Sequence, residues 1–274
     1  MSEIRITDPQ SWQEPEWYNG LRQLQDGASL DGVLMDAIQA EIITRAGDAG
    51  AASAWPGTPL TSLHITRTNV PEWWEPNGNL LLTAPNTKMM IGDFFLASPA
   101  RCALVMFGTG ASALRVTVTG SGSFLAVGDD CNLFATLAMT GRSTILIGQH
   151  TTAAPGPSGV PGADLDARND GSIVVGDDGM WASGVRLMTD DCHAIRDKDT
   201  GERVNGFGGR IVLEKHVWLS AEVAIQGDCW IGTESVVGHG SYVSKAVFPA
   251  NAVIAGRPAK SVRSGITWTR TDDP

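Results

Sequence analysis

The stretch 213–248, which reads LEKHVW LSAEVA IQGDCW IGTESV VGHGSY VSKAVF when broken every six residues, decides the fold. Leu213, Leu219, Ile225, Ile231, Val237 and Val243 open the six blocks, and four places after each stands Val217, Val223, Cys229, Ser235, Ser241 or Val247. Neither a helix of period 3.6 nor a strand of period 2 yields that spacing. An aliphatic residue every sixth position with a slender one four later marks a parallel β-helix, in which three blocks make one triangular coil. The same period runs through Val127, Leu133, Met139 and Ile145, and through Val175, Trp181 and Leu187, after which His193 falls in the aliphatic slot.

Working outward, the period breaks across 151–171, rich in Pro, Gly and Ala, and again across 194–210. Both are read as loop excursions, whose backbone leaves the ladder for a functional reason. The solenoid is expected over 96–257, with 258–274 as a C-terminal cap or tail. Residues 1–95 carry no fixed repeat and are expected to cap the other end of the coil, since an open coil end invites pairing. Within them Leu30, Val33, Leu34, Ala37 and Ile38 form one face of a helix behind a cap at Ser29, and Trp17, Leu21 and Leu24 a weaker one. Pro71, Trp73, Trp74 and Pro76 are read as an aromatic anchor onto the main body, with a sugar-stacking platform as the other reading.

Composition narrows the function. The 274 residues carry 30 acidic against 20 basic side chains, a net charge of −10, which repels nucleic acid. No run of about 18 apolar residues is present, and Met1 to Gln10 lack the apolar stretch of a signal peptide, so a cytoplasmic protein is expected. Cys102, Cys131, Cys192 and Cys229 lie far apart and are read as reduced thiols. Against the acidic background, Lys245, Arg257, Lys260, Arg263 and Arg270 fall in a stretch without Asp or Glu, a seat for the phosphates of a small anionic cofactor or a solvated tail.

Val217-Trp218-Leu219-Ser220-Ala221, followed by Ile231-Gly232, Val237-Gly238, Gly240-Ser241 and Ala255-Gly256-Arg257-Pro258-Ala259-Lys260, resembles the C-terminal half of the hexapeptide-repeat acyltransferases. Asp191-Cys192-His193-Ala194-Ile195, then Asp197, Thr200-Gly201-Glu202-Arg203 and Asn205, looks like the loop of the branch that O-acetylates capsular and exopolysaccharides, and Ile266 and Trp268 fit that branch's C-terminal end. The likeness covers 127–270 and is specific over 175–270. It implies an all-β solenoid, a left-handed parallel β-helix, assembled as a homotrimer with acetyl-CoA in a cleft between neighbours. A loop histidine would deprotonate the acceptor, a saccharide hydroxyl.

On that resemblance His193 is the general base, with Asp190, Asp191 and Asp197 near in sequence to orient it, and Asp191 and Trp218 complete the catalytic set. A neutral imidazole taking the hydroxyl proton is typically worth about 10² to 10⁴ in rate. Trp218 either lines the thioester site or packs. Ser220 stands where the family usually has glycine, and the backbone N–H of Ala221 is a donor for the pantetheine arm or the oxyanion. Gly238 and Ala255-Gly256 leave backbone open for pantetheine, while Arg257, Lys260 and Arg263 are read as cofactor contacts. His239 departs from the family's small residue and either touches the cofactor or is a turn histidine. His216 is read as a surface turn, and His64 and His150 belong to no constellation. The alternatives are transfer to an amino sugar or an antibiotic, and a metal β-helix of carbonic-anhydrase type using His193, His216 and His239. Against the latter, no two histidines stand close in sequence.

Overall fold

A computed structural model describes residues 15–52, 60–89, 91–92 and 100–272. From Leu80 onward the chain winds as a parallel β-helix with three faces, here called A, B and C. Face A stacks Leu80–Thr83, Leu104–Phe107, Phe124–Val127, Thr144–Ile147, Ser172–Val175 and Arg210–Leu213 in parallel register. Face B stacks Thr152–Ala153, Met180–Trp181, Trp218–Leu219 and Val236–Val237. Face C stacks Ala163–Arg168, Val185–Met188 and the opening residues of Ala224–Ile231 and Tyr242–Phe248.

The periodic aliphatics fill the interior: Leu213, Leu219, Ile225, Ile231, Val237 and Val243 are all buried, as are Val127, Leu133, Met139, Ile145, Val175, Trp181 and Leu187. Val217, Val223, Cys229, Ser235 and Ser241 are buried with them. Val247 is not. It is 79% exposed because the pairing with Tyr242–Phe248 shifts register between Gln226 and Cys229, which turns Phe248 inward instead.

Turns of the coil need a sharp change of direction without a loop. At the corner joining faces A and B this falls on His150, Asp178, His216, Glu234 and Asn251, all with φ between 57° and 62°. Asn, Asp and His tolerate this left-handed region better than most side chains, and they recur here on successive coils.

The N-terminal helices lie elsewhere than expected. Helix α1 (Glu16–Gln23) and helix α2 (Gly32–Asp48) do not close a coil end; they cover the outer side of face A. Tyr18, Leu21, Ile38, Ile42 and Ala46 pack onto Leu104, Met106, Phe124, Leu146 and Val174, so face A is apolar on both sides. Asp31, rather than Ser29, caps α2, its Oδ1 accepting the Leu34 N–H at 2.9 Å. Val33, placed on the apolar face by the periodicity, is 77% exposed. Trp74 is fully buried in the solenoid core with Trp73 packed against it, an anchor rather than a sugar platform.

The boundaries also move. The ladder starts at Leu80, inside the expected 1–95 region, of which 1–14, 53–59, 90 and 93–95 lie outside the described residues. It runs past 257, since Ala259–Ser264 adds antiparallel to the exposed edge of Ala252–Gly256. Of the expected excursion 151–171, Thr152–Ala153 and Ala163–Arg168 are strands of the coil; only the residues between them, with a 3-10 turn at Pro157–Gly159, leave it. The excursion around 194–210 does leave the ladder between Met188 and Arg210. Cys131 and Cys229 are buried, Cys102 and Cys192 half-buried, and none is in a disulfide. Burial pushes the Cys131 thiol up to about 12, which keeps it unreactive. Among the described residues no helix is long and apolar enough to cross a membrane.

Candidate functional site

At the corner joining faces B and C, three successive coils bring together most of the residues read as cofactor contacts. The chain leaves face B through Ser220-Ala221, one coil on through Gly238-His239-Gly240, and one more through Ala255-Gly256-Arg257. Hydrogen bonds hold them in register: Ser220 N–H to Val237 O at 2.9 Å, Gly238 N–H to Ile254 O at 2.8 Å, and Gly240 N–H to Ala221 O at 2.9 Å. The Arg257 guanidinium donates to Gly240 O. Lys260 lies opposite Ala255 and Arg263 opposite Val253 on the added strand; both are exposed and without an ion pair among the described residues.

Gly238 is informative. A Cβ there would meet nothing closer than Ala255 Cβ at 3.4 Å, so the chain's own packing tolerates a side chain. An open backbone strip at this height therefore answers to something outside the chain. The Ala221 N–H has no acceptor among the described residues. His239 is exposed, its Nε2 3.9 Å from Glu222 Oε2, as a turn histidine is.

His193 sits on the excursion that leaves the corner joining faces C and A. Its side chain is exposed, which corrects the reading of an aliphatic slot: the ladder ends at Met188, so the six-residue count no longer points inward. The acidic neighbours do not orient its ring within the chain. Buried Asp190 accepts the Cys192 N–H at 2.8 Å and a bond from Asn169. Asp191 accepts from Asn205 Nδ2 at 2.8 Å and from Gln226 on face C. Asp197 closes its own turn with the N–H groups of Thr200 and Asp199, which hold its carboxyl below the usual range. These carboxylates fix the loop, and Asn205 also donates to His193 O at 2.8 Å, so the backbone of His193 is set while its ring has no hydrogen-bond partner among the described residues.

Trp218 faces outward on face B, beside the corner joining A and B, and its neighbour there is the C-terminal tail. The tail climbs the left-handed corner residues. Ile266 N–H bonds Asn251 O at 3.1 Å, Thr267 Oγ1 donates to Glu234 at 2.7 Å, and the Trp268 ring lies 5.9 Å from Trp218. His216 is more than a surface turn: Asp178 Oδ2 is 2.6 Å from its Nδ1 and Trp268 O is 3.0 Å from its Nε2. Arg270, read with the basic patch, is spent here. It donates to Asp178 at 2.8 Å, Thr152 at 3.0 Å and the carbonyls of His150 and Gly179. Burial raises the Asp178 carboxyl, but bonds from His216 and Arg270 and the Arg270 charge outweigh it and bring it below its ordinary value.

His193, His216 and His239 thus stand at three different corners, and no group of three metal-ligating side chains among the described residues could hold an ion. The arrangement gives an open backbone strip at one corner and an exposed imidazole at another, without contact between them in one chain.

No protein-family model matches the chain. It is 31% identical over 137 residues to a polysialic acid O-acetyltransferase of Escherichia coli O1:K1 / APEC, covering 50% of this chain and 41% of the relative. A polysialic acid O-acetyltransferase of Neisseria meningitidis is 27% identical over 157 residues, 57% of this chain and 69% of that one. The chain therefore spans less than half the length of the first of these relatives. Among solved structures, the polySia specific acetyltransferase NeuO superposes with a TM-score of 0.58 at 24% identity, over 71% of this chain and 89% of that one. The resemblance to hexapeptide-repeat acetyltransferases of the capsular branch and the expected left-handed parallel β-helix are borne out.

Proposed function

We propose that the chain is an acetyl-CoA-dependent O-acetyltransferase that acts on a hydroxyl of a polysaccharide or its precursor. The observation that carries this is the alignment of Ser220-Ala221, Gly238-His239 and Ala255-Gly256 on three consecutive coils, with Lys260 and Arg263 at its open end. A narrow pantetheine arm lies along exposed backbone, and the free cations meet the phosphates of CoA.

His193 and Trp218 sit on different sides of one prism, so a complete site needs two copies of the chain. A homotrimer supplies it: a heterologous contact repeated three times closes, and places the His193 loop of one protomer against the face B strip of its neighbour. There the neutral imidazole of His193 takes the acceptor's proton while the hydroxyl oxygen attacks the thioester carbonyl. The Ala221 N–H donates to the oxyanion. Collapse of the tetrahedral species expels the CoA thiolate, which recovers the proton from His193. Trp218 lines the thioester end. Such an enzyme works where acetyl-CoA is made, in the cytoplasm. Incubation with labelled acetyl-CoA and a panel of cell-envelope glycans tests the reading: label transferred to a glycan as a base-labile ester supports it, and no transfer to any hydroxyl overturns it.

A further inference from the structure

The outer side of face C carries a groove of about 280 Å³ that none of the cofactor or catalytic contacts uses. Its geometry follows from the pairing register. Thr136, Asp164 and Arg186 stand in one row across three strands, and Ala138, Asp166 and Met188 in the next. Thr117 and Thr140 add hydroxyls, and Met188 and Ala138 an apolar floor.

Two features show a wall that the chain leaves incomplete. Asp166 and Arg168 are bonded to each other, yet Asp166 Oδ1 and Arg168 Nε are buried with no hydrogen-bond partner among the described residues. Buried polar atoms are rarely left so. The Asp164 and Arg186 side chains, adjacent and exposed, make no ion pair or hydrogen bond among the described residues. The exposed Asp164 and Arg186 thus offer an acceptor and donors side by side, and the two acidic and two basic side chains of the groove cancel.

The groove adjoins the His193 loop. Met188 pairs with Gln226 one coil on, and Gln226 holds Asp191, two residues before His193. Thr189 Oγ1 accepts the Arg168 N–H at 2.8 Å, tying the start of the loop to the groove wall.

Resting on the acetyltransferase reading above, we propose that this groove binds the acceptor, and that it takes an uncharged, hydroxyl-rich sugar unit. A sugar hydroxyl both donates and accepts, which suits a wall that presents the Asp164 carboxylate beside the Arg186 guanidinium; a polyanion would meet a charge-neutral groove on a chain of net charge −10. The volume suits about one ring resting on the apolar floor.

The test measures binding and transfer separately. Calorimetry with CoA present compares neutral hexose oligosaccharides with polysialic acid and polygalacturonate on the wild-type protein. The double variant Asp164→Asn/Arg186→Gln and the single variant Thr136→Val are then examined with light scattering. Expected are preferential binding of a neutral oligosaccharide and an acceptor KM raised at least about tenfold in the double variant. The donor KM and oligomer size stay unchanged. Asp164→Lys should shift preference towards the anionic probes. Preference of the wild type for an anionic glycan, an unchanged acceptor KM in the double variant, or a changed oligomer size overturns the proposal. Binding of the neutral sugar by the wild type, lost in the double variant, supports the groove even if no acetyl is transferred, in which case the acetyltransferase reading alone fails.

Discussion

Trp268 stacks on His216 with ring centroids 3.8 Å apart and planes 13° from parallel, across 52 residues of sequence. The indole N–H donates to His216 O at 2.9 Å, and the His216 ring in turn meets Trp268 O. The contact pins the C-terminal tail to the solenoid beside Trp218, so the tail is structural and borders the proposed thioester site.

Trp268→Ala should therefore cost about 3 kcal/mol, the usual range for truncating a buried tryptophan. Limited proteolysis should trim the chain after Ser264 in the variant and leave the wild type whole. An unchanged thermal midpoint with an intact tail would contradict the assignment.

The latch should be sensitive to acid. The Asp178 carboxyl is held below its ordinary value, so its contribution is fully present above that ordinary value and is lost as pH falls through the lower folded value. The difference in thermal midpoint between wild type and Asp178→Asn should be largest near neutral pH and shrink as the pH falls below the ordinary carboxylate range. A difference that stays constant down to the acid unfolding of the protein would remove the Asp178–Arg270 pair as its source.

Lys260→Glu combined with Arg263→Glu should raise the KM for acetyl-CoA and leave turnover much less affected, because the phosphates lie far from the reacting carbonyl. Steady-state kinetics at saturating acceptor measure it. An unchanged donor KM would move the phosphate site elsewhere.

Much of this fold was legible because one period sets the interior: every aliphatic from Leu213 to Val243 is buried where the six-residue count puts it. The count misled where coils lengthen. Leu104 pairs with Phe124 and Phe124 with Thr144, steps of twenty residues, and the extra length goes into face C strands. There Ala163, Leu165 and Ala167 alternate inward, a period of two hidden within a Pro-, Gly- and Ala-rich segment that reads as loop. The covering of face A by α1 and α2 was half written in strands apolar at every position, such as Leu104–Phe107. The backbone strip on the BC corner could be read from local motifs. The role of His216 could not, since Trp268 and Arg270 create it from far along the chain, and neither could the groove, whose rows are assembled by register alone.

The central claim is that His193 is the base, and turnover, CoA affinity and thermal midpoint measured on one preparation of His193→Ala test it most directly. The ring is exposed and makes no hydrogen bond among the described residues, so its loss should leave the fold, the oligomer and CoA binding intact. Turnover should fall by about two to four orders of magnitude. A well-folded variant that binds CoA and keeps more than about a tenth of wild-type turnover would contradict the account.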